Sequence, residues 1–184
     1  MIAFDLDGVL VDIFLQIQEV AQDRYKVDLS KITNYDFSNK LTEDQVKRIF
    51  IDLYSKYKCA KIEEGATEVL NLVWEITRKP IKIVTARSSN YATETIRLIE
   101  RFARVPFYVC FSGGHKFKYK FLKGDKCFVE DRRRTALELA EKGISVFLIN
   151  KSYNNPLPRG YRKSIKRLKN LNHLLKILKT WPKN

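Results

Sequence analysis

An α/β fold with a parallel sheet covered on both faces is what this sequence predicts, and three observations carry that expectation. Short runs that are apolar at odd and even positions alike recur along the chain, as they do in strands buried on both faces. A stretch with apolar residues at helical spacing follows most of them. The alternation breaks once, between residues 14 and 62, where two helical stretches occur with no strand between them.

The strands expected are "IAFDL" (2–6), "IKIVT" (81–85), "PFYVCF" (106–111), "KCFVE" (126–130) and "ISVFLI" (144–149). Between them, "GATEVLNLVWEITRK" places Ala66, Val69, Leu70, Val73 and Ile76 on one stripe, and "NYATETIRLIERFA" does the same with Ala92, Ile96, Ile99 and Ala103. "TALELAEKG" ends at Gly143, a helix-stop residue. The basic tail from Arg159 onward reads as a final edge strand and a helix carrying Leu171, Leu174, Leu175 and Leu178, in preference to a membrane-surface or nucleic-acid arm.

Within the interruption, "FLQIQEVAQDRY" forms one helix (Phe14, Ile17, Ala21), with Asp12 as its cap. "TEDQVKRIFIDLYSKY" forms another, opened by Thr42 and Gln45 at capping-box spacing and apolar at Val46, Ile49, Phe50, Leu53 and Tyr57. Phe14 and Ile17 face either a pocket or the core of this helical unit. The expected architecture is a Rossmann-like parallel sheet with helices on both faces, built from residues 1–13 and 63–184. A small helical cap, residues 14–62, is inserted after the first strand and lies over that strand's carboxyl end.

At 184 residues the chain can bury a substantial core, and 45% hydrophobic residues is ordinary for a globular protein. No apolar stretch approaches the roughly 20 residues that span a bilayer, and the chain opens inside an expected strand, which points to a cytoplasmic protein with no membrane partner. Cys59, Cys110 and Cys127 lack metal-ligand spacing and are odd in number, so a disulfide framework or zinc site is not expected. The formal net charge of +14 suits a solvated lysine-rich surface, a phosphorylated small molecule or, as the sharper alternative, a nucleic-acid footprint. Oligomeric state is not legible here.

The chemistry gathers at "DLDGVLVD". Ligands of open α/β sheets bind outside the carboxyl ends of the strands, and Asp5 and Asp7 sit there, two apart and so pointing the same way. Two such carboxylates repel unless a divalent cation or a shared proton neutralises them, and a hard cation such as Mg²⁺ is suited by one or two carboxylates plus phosphate oxygens. Gly8 permits the turn that follows.

With its neighbours, "DLDGVLVD" resembles motif one of the haloacid dehalogenase-like (HAD) superfamily, most closely its phosphatases. "IKIVTAR" is similar to motif two, "GGHKFKYK" offers the motif-three lysine, and "CFVEDRRRTA" is similar to motif four, all in chain order. The small helical insertion with "TAR" and "VED" resembles the 5'(3')-deoxyribonucleotidase-like branch, although this chain is shorter and more basic than the better-known mammalian members of that branch.

The resemblance implies a Mg²⁺-dependent phosphomonoesterase acting through an aspartyl-phosphate, with a nucleoside monophosphate as substrate. The alternatives are a 3′-phosphatase on nucleic acid ends, a phosphosugar phosphatase, or a nucleic-acid-binding protein with a vestigial site. Asp5 is then the nucleophile, and Asp7 the general acid and base, whose main-chain carbonyl also meets the metal. Asp131 is the further metal ligand, with Glu130 as alternate. Thr85 and the Ala86 backbone hold the phosphoryl group together with Lys116. Lys120 is the fallback lysine, while Lys118 and Lys123 are expected in solvent. Arg87 forms either a fork to phosphate or a surface ion pair. Tyr35 and Phe37 of the cap either stack on a base or anchor their own loop. His115 is expected as a turn residue, and Arg132, Arg133 and Arg134 stand near an anionic substrate.

Overall fold

The computed structural model describes residues 2–30, 32, 37, 39–56, 60–154, 157–161 and 163–181. Six strands form one sheet: β1 (Ile2–Phe4), β2 (Ile81–Thr85), β3 (Phe107–Phe111), β4 (Cys127–Glu130), β5 (Ser145–Ile149) and β6 (Ile165–Leu168). Their spatial order is β3-β2-β1-β4-β5-β6 and every pairing is parallel. The order reverses direction beside β1, so a crevice opens between the carboxyl ends of β1 and β4, where such sheets bind ligands.

Strand alternation divides the core between two faces. Phe4, Ile81, Ile83, Val129 and Ile149 point to one face, against α3 (Ala66–Thr77), α4 (Ala92–Glu100) and α6 (Leu171–Lys179). Ala3, Val84, Phe128, Val146 and Leu148 point to the other, against α5 (Arg133–Glu141) and Leu122. The expected final strand and helix are β6 and α6, whose Leu171, Leu174 and Leu178 are buried. Gly143 follows α5 with φ of +79°.

Two local expectations need correction. β1 ends at Phe4 and not Leu6, because Leu6 turns its carbonyl to accept the N–H groups of Leu10 and Val11 at 2.9 and 3.0 Å. On α4 the buried residues are Thr95, Leu98 and Ile99, and Ile96 is 38% exposed. The stripe runs one residue round from the one expected, because Thr95 faces inward to accept a bond from Arg87.

Helices α1 (Ile13–Tyr25) and α2 (Glu43–Ser55) make a separate apolar cluster with Phe14, Ile17, Ala21, Leu29, Phe37, Leu41 and Ile49. Asp12 caps α1 through Leu15 N–H, and Thr42 and Gln45 form the reciprocal box that opens α2. Arg24 of α1 pairs with Asp52 of α2. The two chain crossings that join this unit to the sheet run side by side. Asp12 N–H donates to Lys61 C=O at 2.8 Å and Glu63 N–H to Leu10 C=O at 3.0 Å. No helix among the described residues is long and apolar enough to cross a membrane. Cys127 is buried and Cys110 half-buried, both as free thiols. Tyr57 and Cys59 lie outside the described residues.

Candidate functional site

The carboxyl ends of β1 and β4 bring Asp5, Glu130 and Asp131 together, with one carboxylate oxygen from each inside a 4.8 Å cluster. All three are buried. Three negative charges in an apolar interior demand cations, and one is supplied from the protein. Lys118, fully buried, places Nζ 2.5 Å from Asp5 Oδ2 and 3.0 Å from Glu130 Oε2.

That ammonium and the main chain divide the carboxylates into two kinds. Burial works against an ionised Glu130, but Lys118 first, then the Asp131 side chain and the Arg132 N–H, which donates to Oε1 at 3.0 Å, outweigh it and push Glu130 down to about 2. Burial raises Asp5 and Asp131 well above the ordinary aspartate range, and neighbouring carboxylates add to the rise. Lys118 stays protonated, because the attraction of Asp5 and Glu130 exceeds its own burial penalty. Glu130 is thus occupied as a structural anion. Asp5 shares the Lys118 ammonium with it, and Asp5 and Asp131 together offer the oxygen chemistry a hard divalent cation takes. The fit extends to the turn after β1. Gly8 has φ of +82°, and a Cβ there would lie 2.0 Å from Asp131 Oδ2, so only glycine allows the two segments to close.

Asp131 is held from behind. Tyr153 O–H donates to its Oδ2 at 2.5 Å, and Asn154 Nδ2 donates to its main-chain carbonyl at 2.7 Å and to that of Ile149 at 2.6 Å. The Tyr153 ring lies 4.7 Å from that of Phe14, joining the acidic cluster to the α1–α2 core.

Asp7 faces another cation. Arg87 grips it with two bonds, Nε to Oδ2 at 2.9 Å and Nη2 to Oδ1 at 2.6 Å, while Nη1 donates to Thr95 Oγ1 at 3.3 Å. The Arg87 guanidinium sits 4.4 Å from the ring centre of Tyr54 on α2. Burial opposes the charge on Arg87, but Asp7 raises its pKa above the usual arginine value. Tyr54 is kept as a neutral phenol by burial first and the Asp7 charge second. Thr85 is buried at the end of β2, its Oγ1 accepting the Arg87 N–H at 3.2 Å. A cavity of about 170 Å³ lies in front of these groups, lined by Asp5, Asp7, Phe50, Tyr54, Ala86, Gly114, His115, Asp131 and Arg132.

Asp5, Asp7, Ala86 and Asp131 therefore meet at one cavity, with Thr85 and Glu130 directly behind. Lys116 and Lys120 are not there. Their segment, His115–Phe121, is a 3₁₀ helix, not an α-helix. Lys118, three residues on from His115, turns inward on the same face. Lys116 and Lys120 turn outward, with Nζ 4.9 and 5.0 Å from the Phe117 ring centre. Lys118, expected in solvent, is the lysine of the site. Arg87 is a buried fork to Asp7 and not a surface pair. Phe37 is 5% exposed and stacks on Phe14 at 6.3 Å inside the helical core, so it anchors its loop and offers no face to a ligand. Phe14 and Ile17 also belong to that core. Tyr35 lies outside the described residues. Arg132 lines the cavity, Arg133 is half-buried, and Arg134 pairs with Glu138 in solvent.

Sequence reasoning missed Tyr54, Tyr153 and Asn154. "SYNN" follows β5 at the carboxyl edge of the sheet, where position alone marks residues as site candidates. His115, read as a turn residue, lines the cavity, and its Nδ1 is buried without a hydrogen-bond partner among the described residues. Burial, with Lys118 and Arg132 adding, lowers its pKa to about 3, so the ring is neutral.

No family model matches the chain, and no curated protein matches it. Solved structures do. A HAD family hydrolase from Deinococcus radiodurans R1, with bound phosphate and sodium, is similar at 18% identity and a TM-score of 0.65, over 94% of this chain and 92% of that one. A haloacid dehalogenase-like family hydrolase from Streptococcus pneumoniae is similar at 19% identity and a TM-score of 0.59, over 96% and 97%. A protein assigned as a β-phosphoglucomutase from Thermotoga maritima is similar at 18% identity and a TM-score of 0.60, over 97% of each chain. The architecture is that of the HAD-like α/β core, and the acidic cluster stands at its carboxyl edge.

Proposed function

We propose that this protein is a divalent-metal-dependent phosphomonoesterase that works through an aspartyl-phosphate, and that its substrate is a nucleoside monophosphate. The observation that carries the reading is the crowding of Asp5, Glu130 and Asp131 around the ammonium of Lys118 at the mouth of β1, open to a cavity that Asp7 also reaches. Such a site is short of positive charge on one side and has a carboxylate nucleophile on the other.

Asp5 and Asp131, with the main-chain carbonyl of Asp7, would hold the metal, Mg²⁺ being the expected ion. When bound, it offsets the repulsion between the Asp5 carboxylate and an incoming phosphate. An Asp5 oxygen forms a bond to phosphorus while the bond from phosphorus to the leaving alkoxide breaks, and Asp7, protonated and turned out of the Arg87 fork, supplies the proton the alkoxide needs. Water then attacks phosphorus, its proton passes to Asp7, and the bond to Asp5 breaks. Lys118 holds the Asp5 carboxylate in line, and Thr85 with the Ala86 backbone steadies the transferring group. Helices α1 and α2 act as the cap: Phe50 and Tyr54 line the cavity from α2 and exclude water during the first transfer.

A planar base is favoured as part of the substrate by the aromatic lining of Phe50, Tyr54 and His115 beside the cation of Arg132. A phosphosugar is the second reading, because solved structures of this fold include assigned β-phosphoglucomutases. The test is phosphate release with Mg²⁺ from nucleoside 5′- and 3′-monophosphates and sugar phosphates, run beside Asp5→Asn. Turnover of nucleotides that disappears in Asp5→Asn is expected. Turnover confined to sugar phosphates selects the second reading, and release that persists in Asp5→Asn rejects the mechanism.

A further inference from the structure

The cavity at Asp5 is small. Its volume of about 170 Å³ lies below the ~300–1,000 Å³ of sites that enclose a whole drug-sized ligand. A phosphoryl group and the nucleoside atoms next to it fill it, and the remainder of any longer substrate has to pass out over the rim. The character of that rim therefore bears on what the remainder is.

One side of the rim is the segment from Gly114 to Lys123. Gly114 and His115 line the cavity, and the position of a Gly114 Cβ lies 3.7 Å from the Phe117 ring. From there "HKFKYKFLK" alternates cations with aromatic rings. Lys118 and Leu122 are buried and His115 faces the cavity, while Lys116, Phe117, Lys120, Phe121 and Lys123 stay outside. Phe117 and Phe121 are each 36% exposed. Lys116 and Lys120 flank Phe117, Lys123 is exposed just beyond, and Lys142 of the turn after α5 stands 4.4 Å from the Tyr119 ring centre. No carboxylate pairs with Lys116, Lys120, Lys123 or Lys142 among the described ion pairs.

Exposed rings with cations on both sides, leading out of a phosphate-sized cavity, match the chemistry of a nucleic acid strand: bases stack on rings while lysines follow the phosphates. A free sugar phosphate has no use for either. Resting on the phosphomonoesterase reading above, and extending its substrate from a free nucleotide to the nucleotide at the end of a strand, we propose that the segment His115–Phe121 is a binding track for single-stranded nucleic acid, with a terminal phosphate seated at Asp5 and the adjoining nucleotides lying over Phe117 and Phe121. This gives part of the +14 charge a location and a purpose.

The test measures binding of a fluorescein-labelled twelve-nucleotide strand, phosphorylated at its 3′ or 5′ end, to the full chain carrying Asp5→Asn, by anisotropy across a range of salt concentrations. Phosphate release from 4-nitrophenyl phosphate by the unmodified protein is assayed separately, so that the two readings fail independently. Phe117→Ala is expected to weaken strand binding about tenfold. Lys116→Glu with Lys120→Glu is expected to weaken it further and to lower the salt slope by about 0.7 for each lysine. Lys176→Glu with Lys179→Glu, the same charge change on exposed positions of α6, is expected to leave binding nearly intact. Equal losses in both lysine pairs, or equal binding of polyglutamate, would show a surface that responds to charge alone and overturn the track. Absence of strand binding with 4-nitrophenyl phosphate still hydrolysed overturns the track and leaves the phosphatase standing. Absence of hydrolysis in the unmodified protein, with strand binding intact, counts against the phosphatase reading instead.

Discussion

Arg87 and Asp7 meet in a two-bond fork, 2.9 and 2.6 Å long, that is roofed by the ring of Tyr54. The fork joins the turn after β1, the end of β2 and helix α2 through one buried guanidinium. Arg87→Gln strands the Asp7 carboxylate and is expected to cost about 3–5 kcal/mol, read by urea unfolding. Arg87→Lys restores little of this, because a single ammonium cannot span both oxygens.

Among the described residues, Lys118 is the one ammonium in contact with Asp5 and Glu130. Lys118→Met leaves two buried carboxylates without that partner. Stability should fall by about 3–5 kcal/mol, and phosphate release should be lost. Adding Glu130→Gln to Lys118→Met should recover part of the stability and none of the activity. Urea unfolding of the two single variants and the double variant measures the coupling.

Tyr153 touches the site with its hydroxyl and the helical core with its ring. Tyr153→Phe keeps the ring contact with Phe14 and removes the donor to Asp131. Metal affinity, titrated with Mn²⁺ by calorimetry, is expected to fall about 10- to 100-fold with little change in unfolding.

Gly8 leaves no room for a side chain. Gly8→Ala must shift the Asp131 carboxylate and also holds alanine at φ of +82°, so a loss of about 2 kcal/mol or more is expected along with weaker Mn²⁺ binding. Gly124 has the same φ of +83° but open space around it, and Gly124→Ala should cost only the conformational part.

His115 has a pKa lowered to about 3 by burial, Lys118 and Arg132. The unfolded chain takes up a proton at this residue near pH 6.5, and the folded chain resists it until far lower. Its contribution to stability is therefore complete above about pH 6.5 and is lost as pH falls toward 3. His115→Gln should flatten the stability profile across that window, as measured by thermal unfolding at stepped pH.

The strands, their parallel arrangement and the acidic ends of β1 and β4 were legible in the sequence, because a buried strand must be apolar on both faces and an exception at its end stands out. The capping box at Thr42 and the cap at Asp12 were legible for a similar reason, since each is a local bond between near neighbours. What needed the tertiary structure was direction. Whether Lys116, Lys118 or Lys120 enters the site turns on a 3₁₀ winding in place of an α-helical one, a small difference in rotation that composition does not encode. Whether Arg87 faces solvent or Asp7, 80 residues away in the chain, is decided by how β1, β2 and α2 come together. Tyr153 and Phe37 follow the same rule: the first reaches Asp131 and the second turns away, because side-chain direction is settled by packing between segments far apart in sequence. The chemistry of the residues was set by the chain alone, and their partners were set by the fold.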